Sequence, residues 1–383
     1  MKRLSIILLS LVAVMAQAAP LEGFVYTNAT SLNIIGKGWT ETSGDYQRMP
    51  AYMKDSCRDN QWWLYCHSAG VAIRFASNSR RIAAQWNLIN NFHMQHMAMT
   101  GIKGVDLYRL SDKGKWEYVN TARPQEKNLV ADSVQSKMFV ERMDGEWHEY
   151  MFYLPLYDGI NWFEVGVDST AEISMPRMDS PRSKPRIVFY GTSIMQGGCA
   201  SRPGMVATSI IERDLNRECI NLGTSGEGKM DFYIARAMAT IDDVGCYVID
   251  PVPNCTSGMC DTITYDFIQT LHKLRPEVPI VMVEGIRYPY CSQDTFYLRY
   301  LTEKNAHWRR NYQQLKKDGI KQLYYVTWDG MTGRDEEGTV DGVHLTDLGF
   351  RAYADLLEPV LKKILRKYHQ PYWADIQYPT NNY

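Results

Sequence analysis

The chain is 383 residues long, 45% hydrophobic and 22% charged, a globular composition that excludes a mostly disordered or collagen-like polymer. Lysine and arginine number 42 against 43 acidic residues, a formal charge of −1, so no basic field marks the chain for nucleic acid or an anionic membrane. One hydrophobic core rarely serves this length, and two domains are expected.

Lys2 and Arg3 precede an apolar run from Leu4 to Met15, followed by Ala16-Gln17-Ala18. This is the layout of a secretory leader, and the run is short of the ~20 apolar residues that a membrane span needs. Residues 1–18 are therefore expected to be a signal peptide, the mature protein being exported to the periplasm or beyond without a membrane span. From Phe24 to Met178 the chain reads as short strands: Val71–Ser77, Arg81–Leu88, Gly104–Leu110, His148–Leu156 and Asn161–Asp168. Several alternate apolar and polar residues between Asn, Asp, Gly and Ser, and Ser111–Lys115 and Arg142–Glu146 look like hairpin turns. An antiparallel β-sandwich, jelly-roll-like, is expected over residues 19–178. Pro176, Pro181 and Pro185 then crowd a short stretch, which reads as a linker over 179–185.

Beyond it the pattern changes to apolar strands alternating with amphipathic helices. The strands are Arg186–Gly191, Glu218–Gly223, Cys246–Pro251, Ile280–Gly285 and Gln322–Asp329. Between and after them fall helices at Met205–Asn216, Met230–Asp242, Ile263–Arg275, Thr295–Asp318 and Leu348–Tyr368. Such alternation specifies an α/β domain, here 186–383, with a five-stranded parallel sheet covered on both faces. Ligands of these sheets sit beyond the carboxyl ends of the strands.

The eight cysteines of an exported chain suggest disulfides, and Cys57 with Cys66 and Cys255 with Cys260 are the easiest local pairs. No CxxC pair and no histidine at ligand spacing supports a zinc site. No metal and no cofactor is expected.

Four segments fall at strand ends or before the last helix: Gly191–Ile194, Asn221–Gly223, Asp250–Asn254 and Asp341–His344. Ser193 follows a strand and a glycine, so the turn lifts its hydroxyl beyond the sheet edge. A serine becomes a useful nucleophile only when a base takes its proton, and His344 can be that base. Asp341, three residues earlier, can bond one ring nitrogen and leave the other for Ser193. Asp250, Glu284 and Asp329 also end strands, but the spacing to His344 favours Asp341. The oxyanion formed on attack needs donors already in place; the backbone N–H groups of Ser193 and Gly223 and the Asn254 side chain would supply them.

Taken in order, these segments resemble, block by block, the SGNH (GDSL-type) hydrolases, over the whole stretch from Arg186 to about Tyr368. The resemblance implies a flavodoxin-like catalytic domain and a serine esterase working through an acyl-enzyme. The first block reads GTSI rather than Gly-Asp-Ser-Leu, with Thr192 in place of the acid, and Asn254 is framed by Pro253 and Cys255 instead of a Gly-x-Asn-Asp setting. A β-rich module ahead of such a domain is similar to two-domain carbohydrate acetylesterases, and His93–Tyr108 resembles their N-terminal module. Its Met, His and Gly residues either line the cleft mouth or pack internally. The implied partner is an acylated oligo- or polysaccharide, with Tyr288 and Tyr290 as candidate sugar-stacking residues and Trp62-Trp63 as other candidate exposed rings. A lysophospholipase or thioesterase, and an inactive carbohydrate-binding protein, are the alternatives. No GxSxG elbow occurs, which disfavours an α/β-hydrolase, and no long apolar lid favours a long-chain lipase.

Overall fold

The computed structural model describes residues 21–124 and 133–366; the expected leader at 1–18 lies outside the described residues. Ten strands build the N-terminal part: β1 (Phe24–Asn28), β2 (Asn33–Ile35), β3 (Ala72–Ser77), β4 (Ile82–Leu88), β5 (Val105–Leu110), β6 (Trp116–Ala122), β7 (Ser133–Val140), β8 (His148–Tyr153), β9 (Phe163–Asp168) and β10 (Ile173–Ser174). They form one antiparallel sheet in the order β1-β9-β4-β7 and a second in the order β10-β3-β8-β5-β6, with β2 added on β3. Trp86, Phe163 and Val165 of the first sheet pack with Phe75, Leu107 and Phe152 of the second in one buried core, the expected sandwich. Two short helices, α1 (Asp59–Tyr65) and α2 (Met99–Ile102), sit in its long loops.

Strand β3 is buried at every residue rather than at alternate ones. The reason is that the second sheet is covered on both faces. Its outer face carries Ala72, Tyr108, Leu110, Met151 and Tyr153, and the neighbouring domain closes over it: Tyr153 Oη donates to Glu212 Oε1 at 2.7 Å, and Gly204 N donates to Asp106 Oδ2 at 2.8 Å.

Ser111–Lys115 does close a hairpin between β5 and β6, with Gly114 at φ 71°. Arg142–Glu146 does not. It carries the chain from β7, paired with β4, to β8, paired with β3 and β5. Arg142 and Gly145 both hold positive φ there, which serves a crossing between sheets as well as a hairpin.

The second part has five strands, β11 (Arg182–Gly191), β12 (Arg217–Gly223), β13 (Val244–Asp250), β14 (Ile280–Val283) and β15 (Leu323–Val326). All are parallel, in the order β12-β11-β13-β14-β15, the flavodoxin-like arrangement. Strand β11 begins at Arg182, paired with Arg217, so Arg182–Pro185 already run in the strand rather than in a linker. Its side chains divide as the pleat demands. Ile187 and Phe189 enter one core, while Val188 and Tyr190 enter the other. The covering helices are α4 (Ala207–Leu215), α5 (Phe232–Met238), α6 (Ser257–Thr262), α7 (Thr264–Leu274), α8 (Thr295–Lys317) and α9 (Asp347–Leu365), and the four-residue α3 (Ser193–Gln196) follows β11. Gly191 is in register with Gly223 on one side and Asp250 on the other, so three of the four segments singled out in the sequence end side by side. Among the described residues no helix is long and apolar enough to cross a membrane.

All eight cysteines carry free thiols, Cys57 and Cys66 among them, so neither local pair is joined.

Candidate active site

Gly191 ends β11, Thr192 is extended, and Ser193, 8% exposed, opens α3. The fourth segment comes to it across the sheet top. An isolated bridge between Thr339 and Leu345 closes the loop before α9, and Gly342 at φ 84° turns it. Asp341 Oδ1 accepts from the backbone of Val343 (2.9 Å) and His344 (2.7 Å), which leaves Oδ2 facing His344 Nδ1 at 2.8 Å. The other ring nitrogen, Nε2, stands 3.0 Å from Ser193 Oγ. With Nδ1–H donated to the carboxylate, Nε2 is the acceptor and Ser193 the donor. Partial burial alone would raise the Asp341 carboxyl, yet the bonds from the His344 ring and the two amides hold it at about 2. It is therefore an anion at any working pH and stabilises an imidazolium beside it.

The competing acids do not reach His344. Asp250 is buried and accepts from Tyr353 Oη at 2.7 Å. Glu284 binds Arg309 and Tyr325, and Asp329 is exposed. Burial drives the Asp250 carboxyl up to about 8, although the Tyr353 bond works against the rise. The folded protein thus holds a proton there that the unfolded chain releases near pH 4. Stability is expected to fall as pH rises from about 4 to about 8, by at most ~1.4 kcal/mol per pH unit from this group. Asp250→Asn should flatten that fall, read as the difference in melting temperature between pH 5 and pH 8.5; an unchanged slope would assign the proton elsewhere.

Ser193 N opens α3, where an amide has no helical acceptor. Asn254 closes a short turn after β13 (Asn254 N to Pro251 O, 3.0 Å), and its buried side-chain oxygen makes no hydrogen bond. Gly223 is a different matter. Its N–H donates to Asn221 Oδ1 at 2.9 Å and its carbonyl accepts from Arg48 at 2.8 Å, so the donor expected at Gly223 is already spent. Glycine is required there for packing, because a Cβ would lie 2.3 Å from Gln196 N in α3. Gly223→Ala should cost ~1–3 kcal/mol of stability, seen as a lower melting temperature; a variant that melts like the wild type would show that packing does not require glycine there. In the loop that follows, Thr224, Ser225, Glu227 and Gly228 all donate their N–H groups within the protein. Gly226, exposed at φ 72° with open space where a Cβ would be, keeps a free one. The repeated glycine of this loop was the sequence signal for it.

Tyr288 and Tyr290 stack with ring centroids 5.6 Å apart. Tyr288 is 7% exposed and packs in the core. Tyr290 is half-buried and borders Gly342, whose added Cβ would stand 3.2 Å from its ring. Trp62 and Trp63 lie on α1, both half-buried; Trp63 packs on His67 and Phe92. The β-module also reaches the site directly. Tyr157 Oη donates to the Ser193 carbonyl at 3.2 Å, and the His96 ring stands 5.3 Å from the His344 ring.

A serine, imidazole and carboxylate joined in this order at the carboxyl edge of a 2-1-3-4-5 parallel sheet define a serine ester hydrolase of the SGNH type. A model of the GDSL-like lipase/acylhydrolase family matches residues 184–362, and one for the N-terminus of SGNH-hydrolase-type esterases matches 24–173. A candidate GDSL-like lipase from Bacteroides ovatus is 32% identical with a TM-score of 0.83, over 90% of this chain and 98% of that one. The chain belongs to the GDSL-like lipase/acylhydrolase family. Its fold is shared by a salicylyl-acyltransferase from a tetracycline biosynthetic pathway (15% identity, TM-score 0.69, 90% of this chain and 98% of that one) and by an acetyl xylan esterase from the rumen bacterium Butyrivibrio proteoclasticus (10%, 0.55, 90% and 100%). Among curated proteins none matches the chain.

Proposed function

We propose that this esterase is exported and removes short acyl groups, acetyl above all, from a carbohydrate. The observation that carries the reaction is the continuous Ser193–His344–Asp341 contact chain, at 3.0 and 2.8 Å. Ser193 Oγ attacks the acyl carbonyl while His344 Nε2 takes its proton. The same nitrogen then returns the proton to the departing sugar hydroxyl, leaving an acyl-serine. Water, deprotonated by His344, repeats the attack and frees the acid. Ser193 N–H and the Asn254 side-chain amide donate to the oxyanion, and Gly226 N–H takes the place first expected of Gly223.

Support for a sugar substrate comes from the half-buried Tyr290 ring beside the His344 loop, with Tyr288 packed beneath it, and from the fold shared with a xylan esterase. Support for export comes from the basic, apolar and small-residue order of residues 1–18. In this reading residues 19–178 are the module, and the catalytic domain follows it.

The test is turnover of p-nitrophenyl acetate, butyrate and octanoate together with acetate release from acetylated xylan. A pocket for a small acyl group discriminates at ~1–3 kcal/mol for a misfit of a methylene or so, so acetate should exceed octanoate in kcat/KM by about tenfold or more. A preference for octanoate would select the lysophospholipase or thioesterase reading. Absence of turnover on every ester would select a carbohydrate-binding protein.

A further inference from the structure

We propose that His96, Cys199 and His344 form a site for a borderline or soft divalent cation, zinc above all, and that filling it switches the enzyme off. One ligand atom from each of the three residues, two imidazole nitrogens and a thiol sulfur, can be chosen so that all lie within 4.8 Å of one another. A tetrahedral zinc with bonds of ~2.0–2.3 Å needs such atoms roughly 3.5 Å apart, so the three must close by about an ångström. His96 can supply that movement: it is exposed, on the loop before α2, and makes no hydrogen bond through either ring nitrogen. Cys199 is fixed from the other side, since its N–H donates to Leu345 O at 3.0 Å, next to His344, while its buried thiol makes no hydrogen bond.

The donor set selects the ion. One thiolate and two imidazoles suit zinc or copper, whereas calcium and magnesium require oxygen ligands that these three residues do not offer. The Asp341–His344 bond adds to the case, because a histidine that donates its far N–H to a carboxylate is the arrangement found around bound zinc. Binding is balanced as follows. The Cys199 S–H bond breaks and its proton leaves to solvent; the thiolate and the two neutral imidazoles each give a lone pair to the cation, and water holds the fourth position. With Nδ1 held by Asp341 Oδ2 at 2.8 Å, the lone pair that His344 has to give is the one on Nε2, which otherwise receives the proton of Ser193. The expectation against zinc had rested on local ligand spacing, and these donors come from three distant parts of the chain, one of them in the β-module.

The loss of activity rests on His344 acting as the base, whereas binding does not, so the two are measured apart. Ser193→Ala protein, stripped with a chelator, is titrated with Co²⁺. A near-ultraviolet thiolate-to-cobalt absorption is expected, abolished by Cys199→Ser and displaced by Zn²⁺; its absence overturns the site whatever the enzyme's activity. On the active protein, micromolar Zn²⁺ should lower ester turnover about tenfold or more, with recovery on adding EDTA. His96→Ala and His96→Asn should keep basal kcat/KM within about threefold and raise the half-inhibiting zinc concentration about tenfold or more. Equal inhibition of wild type and both His96 variants would place the zinc elsewhere and overturn the proposal, as would a cobalt band without inhibition.

Discussion

Ser193→Ala is expected to lower kcat by about 10⁴-fold or more while KM stays within about threefold, because the substrate's binding contacts survive and only the nucleophile is lost. His344→Ala should lose about as much. The double variant should be no slower than either single one, since residues that act as one unit give non-additive losses. The structure makes this a clean test. Ser193 Oγ bonds only His344 Nε2, so removing it opens no other buried contact and the melting temperature should hold within about two degrees. Steady-state kinetics on p-nitrophenyl acetate with a parallel thermal melt decide the matter. Turnover untouched by Ser193→Ala would show that the ester is cleaved elsewhere.

The parallel sheet was legible because both of its faces are buried. Continuous apolar strands such as Val244–Asp250 separated by amphipathic helices admit one architecture, and that architecture sends its functional residues to one edge. The positions of Ser193, Asp341 and His344 at that edge were legible in the sequence on this ground. The donor at Gly223 could not be settled that way. Gly223 ends β12 and Gly226 follows three positions later in the loop, and only the Asn221 side chain reaching back to the Gly223 amide shows that this N–H is occupied. Arg142–Glu146 has the composition of a hairpin turn, but composition does not tell whether the next strand joins the same sheet. The disulfide expectation came from cysteine number and local spacing, whereas most of these thiols sit buried in apolar surroundings, where cysteine packs as a small hydrophobe.

What the sequence concealed most was how the β-module holds the site. The Arg48 guanidinium is fully buried with no carboxylate beside it. It donates instead to the carbonyls of Leu64, His67, Asn221 and Gly223, tying the module to the end of β12. Burial away from a counter-charge pulls that guanidinium down to about 10. Asp106, in the His93–Tyr108 stretch singled out from the sequence, receives Arg202 Nη1 and Gly204 N at 2.8 Å each. Those residues continue the chain from Cys199, so the module grips the segment directly after the Ser193 helix. Leu156 O accepts from Gln196 Nε2 at 3.1 Å on the same helix. None of these partners could be paired by spacing, because each bond joins residues far apart in the chain. A module that contributes this many contacts to the nucleophile's surroundings is part of the active-site scaffold.

Asp341→Asn carries the second large effect, and it separates charge from geometry. The asparagine oxygen still accepts from the Val343 and His344 amides, which bond Oδ1 in the wild type. Its NH₂ then replaces the oxygen that now stands 2.8 Å from Nδ1. A donor facing Nδ1 forces that nitrogen to be the acceptor and puts the ring proton on Nε2, where it blocks transfer from Ser193. The imidazolium also loses its counter-charge. Together these should lower kcat by about 10⁴-fold with the fold intact. Since the wild-type carboxyl is held at about 2, any loss of rate on acidification above pH 3 belongs to another group. Stability contributed by the Asp341 charge should likewise persist above pH 4 and be lost only as pH falls from about 4 to 2. Glu284→Gln and Asp250→Asn, which leave the Asp341–His344 bond in place, should retain activity within about tenfold. Kinetics on the three variants assign the acid. A larger loss at Glu284 or Asp250 than at Asp341 would mean that the carboxylate bonded to His344 is not the one the reaction uses.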